Sequence, residues 1–207
     1  MILKLFELSP MLALGAIAIV VLALTLHELG HAWMADINGD SLPRQQGRLT
    51  LNPIAHIDWI GFALILLIGF GWAKPVLTRP GQFKYRWSDF SVSIAGVVAN
   101  LLLAVIGLLV FRWSDPSGVW ESLTYLLVSL NCSLIVVNLI PLPPLDGAHI
   151  LASVLPERIA GPLKQSNASS QWMGIVAIVV LGQLGVIGQV AAALQGFLST
   201  WILGHPL

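Results

Sequence analysis

Charge is scarce in this chain of 207 residues, and cysteine is almost absent. Ten basic and ten acidic side chains cancel to a net charge of zero, and Cys132 is the one thiol. The basic residues are scattered rather than gathered into a stripe, so nucleic-acid binding is excluded as a function class. A lone cysteine can neither close an internal disulfide nor build a cysteine metal site, and its place in an apolar run marks it as a packing residue. No Ser/Gly/Pro linker of any length and no internal repeat break the sequence. It is therefore expected to form one integral membrane domain, 1–207, with nothing soluble beside it.

What is abundant is hydrocarbon: 57% of residues are hydrophobic and only 10% charged, and the mean hydropathy is +0.85. Those values belong to an integral membrane protein. Lys4 ahead of an apolar stretch has the look of a secretory signal, but no small-x-small cleavage site follows Ala23, so the first run reads as an uncleaved membrane helix. A bilayer core takes about 20 apolar residues in helix, and five stretches compete: Ser9–Met34, Ile57–Trp72, Phe90–Trp113, Trp120–Ile140 and Trp172–Leu203. The second is short for a crossing, and the last is long enough for one tilted span plus extra helix or a partial return. Between the first two, Asn38-Gly39-Asp40-Ser41, Pro43 and Asn52-Pro53 look like turns around short strands.

Positive residues cluster in three connections, at Arg44 and Arg48, at Lys74, Arg79, Lys84 and Arg86, and at Arg158 with Lys164. The positive-inside rule places all three in the cytoplasm. Ile57–Trp72 must then enter and leave on one side, as a re-entrant element whose backbone is covered by protein or lines a wet cavity. The expected fold is an all-α membrane protein: a polytopic transmembrane helix bundle with a small β-structured loop at Leu42–Leu51 and a re-entrant element. The first helix runs inward, Phe90–Trp113 outward and Trp120–Ile140 inward again.

At the inner end of the first run stands His27-Glu28-Leu29-Gly30-His31. The H-E-x-x-H spacing puts two imidazoles on one helix face, where they can hold zinc beside a carboxylate able to act as base. Ionisable groups within a membrane segment call for a functional explanation. A catalytic zinc usually has three protein ligands and an open water position, and Asp146 offers the third. It follows the inward-running helix, which returns it to the depth of His27 and His31, and Pro141, Pro143 and Pro144 unwind the chain before it.

These residues resemble the site-2 protease family of intramembrane zinc metalloproteases. That family's second signature, N-x-x-P-x-x-x-[LD]-D-G, is matched by Asn138, Pro141, Leu145, Asp146 and Gly147. Ala95-Gly96-Val97-Val98-Ala99-Asn100 is similar to its A-G-P-x-x-N patch, with valine in place of proline. Asn52-Pro53-Ile54-Ala55-His56-Ile57-Asp58 and Gly71-Trp72-Ala73-Lys74-Pro75-Val76 are similar to segments of its short members, which lack PDZ-like or nucleotide-sensing domains. The resemblance covers roughly Leu22 to Leu155.

The expected centre has one Zn2+ held by His27, His31 and Asp146, with Glu28 taking a proton from the bound water and passing it to the leaving amine. Asn138 precedes the ligand loop and is a candidate to orient Asp146 or the bound peptide; Asn100 is either part of the site or helix-packing glue. His149 is a candidate supporting residue or a packing one, and His56 could touch substrate. The reaction class is hydrolysis of peptide bonds in or near transmembrane segments of membrane-anchored proteins. An extended substrate segment is expected to pair with an edge presented by the strand-forming Leu42–Leu51 loop and the re-entrant stretch.

Aspartyl and serine intramembrane proteases lack their residues here: Asp40 lies in a polar turn, and Ser117-Gly118 in an outer loop. The competing classes are a non-proteolytic zinc-binding membrane protein, for which Glu28 has no use, and a transporter, which calls for inverted repeats. The partners expected are the lipid bilayer and a membrane-anchored protein substrate. The location expected is the plasma membrane, multi-pass, with the centre near the cytoplasmic side. Oligomeric state is not legible.

Overall fold

A computed structural model describes residues 5–164 and 168–207. After a single turn α1 (Leu5–Leu8), the first apolar run becomes α2 (Pro10–Ile37). Its start is set by Ser9, whose hydroxyl accepts from Leu12 N at 3.3 Å, and by Pro10, whose missing N–H costs nothing in a first turn. Further along come α3 (Leu42–Gln45), α4 (Trp59–Ile68), α5 (Ser88–Ser114), α6 (Val119–Asn138), α7 (Asp146–Val154), α8 (Glu157–Lys164), α9 (Ala168–Gln183) and α10 (Val186–Leu203). Helices α2, α5, α6 and α10 are long and apolar enough to cross a membrane. The last apolar stretch, Trp172–Leu203, is thus divided by a turn at Gly185 (φ 74°) into part of α9 and the whole of α10.

Small residues decide how the crossings pack. The buried face of α2 includes Ala13, Ala16, Val20, Ala23 and His27, spaced three and four apart. Ala95, Gly96, Asn100, Ala104 and Gly107 do the same for α5. Side chains this small let membrane helices approach backbone to backbone. A Cβ added to Gly30 would lie 2.8 Å from the Ala95 carbonyl oxygen, so α2 and α5 cross in direct contact there. Beyond that crossing Leu108, Val128 and Cys132 form an apolar core, which α10 closes with Ala191, Leu194 and Leu198. Cys132 is buried in it as a packing residue.

Exposed tryptophans mark the two ends. Trp33, Trp59 and Trp87 lie where α2 ends and where α4 and α5 begin. Trp113, Trp120 and Trp201 lie at the opposite end, where Arg112 at the end of α5 donates to the Ile202 carbonyl of α10. Tryptophan favours the two membrane–water interfaces, and these groups are placed as two such belts.

The β-structured loop is not there. Among the described residues no strand forms; Leu42–Gln45 is one helical turn and Pro53–Ala55 a 3-10 turn. The residues that looked like strand boundaries act as helix starters instead. Asp40 Oδ1 accepts from Leu42 N at 2.9 Å, Pro43 fills the first turn, and Asn52 Oδ1 accepts from Ile54 N at 3.1 Å. With no strand at Leu42–Leu51, that loop offers no strand edge to a substrate segment.

At ten residues α4 is about 15 Å long, half of a bilayer core. It starts cleanly, with Asp58 accepting from Ile60 N and Gly61 N, and ends at Gly69 with φ 82°. The chain then doubles back: the approach of Gly71 to the Gly61 carbonyl leaves no room for a Cβ at either glycine. It returns to its starting point, where Lys74 N donates to His56 O at 2.9 Å. Residues 70–79 continue without helix or ladder partner, and Val76 N of this segment donates to Glu28 of α2.

Candidate metal and catalytic centre

Four residues apart on α2, His27 and His31 bring their Nε2 atoms to 3.1 Å, and each lies 3.3 Å from Asp146 Oδ2. Asp146 reaches them from the first turn of α7. Gly147 permits this, because a Cβ there would meet the Leu139 and Ile140 carbonyls 2.5 Å away. The far side of each ring is tied down. His27 Nδ1 lies 2.7 Å from Asn100 Oδ1, and His31 Nδ1 lies 2.7 Å from the Val92 carbonyl oxygen. Both partners are acceptors, so each Nδ1 carries the proton and donates it, and each Nε2 presents a lone pair to the centre.

Two imidazole Nε2 atoms and a carboxylate oxygen converge here, a set that could hold a metal ion. Asp146 Oδ2 is buried and has no hydrogen-bond partner. Ligands about 2.0–2.1 Å from a tetrahedral zinc lie about 3.3 Å apart, close to the separations these atoms have. His27, His31 and Asp146 are the metal-capable set found among the described residues. Gly96 of α5 forms the wall: a Cβ at that position would run into His31 Nε2 and, at 2.7 Å, His27 Nε2. Two imidazoles and one carboxylate fit zinc with a fourth position open.

Behind His27 the support continues into a third helix. Asn100 Nδ2 donates to Asn131 Oδ1 at 2.9 Å, and Asn131 Nδ2 donates to Leu127 O at 2.7 Å. Both asparagines are fully buried. This chain fixes which way each amide points, and with it the tautomer and plane of His27.

Glu28 is buried beside the three-residue set and outside it. Its Oε2 accepts from Val76 N at 3.0 Å and lies 3.7 Å from Arg48 Nη2. Arg48 is itself buried, donating from Nη1 to Ala55 O at 2.9 Å and from Nη2 to Lys74 O. Burial lowers its pKa, and the Glu28 carboxylate opposes that shift. His56 is enclosed in the same loop, with Nε2 2.9 Å from Thr50 O. Burial is the main cause of a pKa below the ordinary histidine value, against the Thr50 bond that raises it, so the ring is neutral at pH 7.

The remaining sequence candidates are spread out. Asn138 donates to Leu134 O in its own helix at 3.0 Å rather than to Asp146. His149 sits one turn along α7, and His56 under the loop; neither joins the metal-capable set. Sequence reading missed Asn131, although a signal was present: it stands seven residues before Asn138, two turns back in an apolar helix. The positive-inside rule treats Arg44 and Arg48 alike, whereas Arg48 is buried and Arg44 stays exposed and pairs with Asp36. No signal for the Val76 N–H exists, since any residue but proline offers one.

A sequence model of Peptidase family M50 matches residues 113–182, the stretch that carries Asp146. Over 171 residues the chain is 37% identical to "Putative zinc metalloprotease YwhC" of Bacillus subtilis, a match spanning 78% of this chain and 76% of that protein. Rip2 of Mycolicibacterium smegmatis, which carries the same descriptor, is 32% identical over 186 residues, 83% of this chain and 70% of its own. "Zinc metalloprotease MJ0392" of Methanocaldococcus jannaschii is 26% identical over 159 residues, 77% of this chain and 39% of its own. No solved structure matches.

Proposed function

The chain belongs to peptidase family M50, the site-2 proteases, as a multi-pass intramembrane zinc metalloprotease, and we propose that His27, His31 and Asp146 hold its zinc while Glu28 is the catalytic base. The observation that carries this reading is the convergence of two Nε2 lone pairs and an orphaned Asp146 Oδ2 next to an unligated carboxylate. Zinc bound there supplies Lewis-acid polarisation of the scissile carbonyl and brings a water's pKa down to about 7.

The protein's own groups do the rest. With Oε2 held by the Val76 N–H, Glu28 keeps Oε1 to take the proton of the attacking water and return it to the departing amine. Asn100 and Asn131 hold His27 in the tautomer that leaves Nε2 bare, and the Val92 carbonyl does so for His31. Glycine at 96 leaves the Nε2 atoms of His27 and His31 unobstructed.

Residues 1–207 act as a single membrane domain on this reading, and the substrate is a membrane-anchored protein cut in or near its spanning segment, in regulated proteolysis or clearance of membrane peptides. The protein resides in the plasma membrane, with the cytoplasm on the side of Trp33, Trp59 and Trp87. Positive residues at Lys74, Arg79, Lys84 and Arg86 between α4 and α5 support that orientation. His31 is two residues and His27 six residues before Trp33, so the centre lies about 3–9 Å inside that belt. The short α4 and the return of the chain to His56 support the re-entrant reading of this segment.

Glu28→Gln tests the assignment. Zinc content should stay at one ion per chain, and cleavage of coexpressed single-span reporter proteins should fall by about 10²–10⁴-fold. Undiminished cleavage would remove Glu28 from the chemistry. The same variant should trap uncut single-span proteins for identification. A purely zinc-binding protein would show no trapped substrate.

A further inference from the structure

Arg48 is nearly inaccessible, at 4% exposure, and its position in the loop before α4 gives it no part in the metal set. Yet its guanidinium touches three separate pieces of chain. One is Ala55 O, where the loop leads into α4; the second is Lys74 O, where the chain returns from it. The third is the Glu28 carboxylate, 3.7 Å from Nη2. Two residues past Lys74, Val76 N donates to the same Glu28 Oε2.

We propose that Arg48 is a positioning residue for the catalytic base: its fork ties the two ends of the α4 excursion together and so delivers the Val76 N–H to Glu28. This rests on Glu28 being the base. The physical case lies in what the alternatives would need. An arginine placed only to balance the charge of Glu28 would use its fork on the carboxylate, as paired guanidinium and carboxylate groups do. Here the close bonds go to two backbone carbonyls, and the carboxylate is met only at longer range. An arginine placed only to satisfy loop carbonyls would not have to be buried beside the Glu28 carboxyl group. Among the described residues, the hydrogen bond that reaches Glu28 from the α4 excursion is that of Val76 N–H, and Lys74, two residues before it, is fixed on both sides. Its N–H goes to His56 O and its carbonyl to Arg48. Lys74 therefore has little freedom to shift along the chain, and Val76 is presented at a set height over the carboxylate.

Geometry of this kind is specific to arginine, since an ammonium cannot span two carbonyls and a carboxylate in a fixed fork. The test uses the full-length zinc-loaded protein, with Arg48→Met, Arg48→Lys and Val76→Pro variants. The first measurement is amide hydrogen exchange and needs no substrate, so it separates failure of the clamp from failure of the protease reading. In Arg48→Met and in Arg48→Lys the Lys74 and Val76 amides should exchange faster by about 10–100-fold, the worth of a hydrogen bond to a charged group. Amides of α2 and α5 should keep their protection, and zinc content should stay at one per chain.

The second measurement is turnover of a single-span reporter protein that the wild type cleaves. In all three variants kcat should drop by about 10–100-fold with KM little changed, and Arg48→Met combined with Val76→Pro should be no worse than the poorer single variant. Rescue of exchange and kcat by lysine would overturn the clamp in favour of simple charge. Faster exchange throughout the chain or loss of zinc in Arg48→Lys, or a Val76→Pro variant with normal kcat, would each overturn it as well. If Arg48→Met fails to fold, the lysine and proline variants still decide the matter.

Discussion

Around His27 and His31 the second crossing is pressed against the first so closely that Gly96 has no room for a Cβ, whereas Glu28, next to them, is covered by an extended segment fastened through single hydrogen bonds. The two regions serve the same few atoms and are built by opposite means. The cradle uses backbone contact between long helices and a chain of buried amides running from His27 through Asn100 to Asn131. The cover uses bonds from Val76 N to Glu28, Arg79 N to Asp40 and Lys84 N to Asn38. Ligand positions must hold to about 0.2 Å for a metal to bind, and close packing supplies that rigidity. A cover over a base must admit water and a peptide. Hydrogen bonds contributing about 1–3 kcal/mol each can be released one at a time. The contrast teaches that in this protein packing is reserved for what must not move.

Three substitutions can break or sharpen that contrast, beyond those at Glu28 and Arg48. The largest effect belongs to Gly96→Ala. Its methyl group would collide with both Nε2 atoms, so zinc content measured by metal analysis should fall to near zero, with helicity retained. A fully loaded Gly96→Ala protein would show that the cradle yields, and the contrast would collapse. Asn131→Leu comes next. It touches no ligand, yet it frees the Asn100 amide, and zinc affinity in chelator competition should drop by about 10–100-fold. An unchanged affinity would cut the amide chain out of the cradle. The smallest effect is expected of Arg44→Gln, on the covering side. Arg44 is exposed, and its ion pair with Asp36 is solvent-screened. Turnover and zinc content should stay at wild-type values, separating this surface pair from the buried Arg48.

The sequence was most legible where one period ran undisturbed for several turns. The three central crossings are visible as apolar runs, and H-E-x-x-H at the end of the first already implies paired imidazoles on one face. Asp146 is legible because a proline-rich break after an inward helix returns it to the same depth. The covering region was misread because asparagine, aspartate and proline serve equally as strand boundaries and as first-turn residues. Asp40, Pro43 and Asn52 do the second here, and only the three-dimensional partners Leu42 N and Ile54 N decide between the two. Arg48 was hidden for a different reason. Sign of charge is a property of the sequence, but burial is a property of the fold, and Arg44 and Arg48 look alike until one is enclosed. Backbone contributions such as Val92 O and Val76 N carry no residue signature at all.

The way the cradle is divided among the helices also bears on how the protein is made. His27 and His31 arrive with α2, the Gly96 wall and the Asn100 tie with α5, and Asn131 with α6; Asp146 comes only after that third crossing has ended. On the proposed assignment, a chain made as far as α6 carries the base and two histidines but lacks the third ligand. Synthesis from the N-terminus then completes the centre last, after all three helices that cradle it have been made.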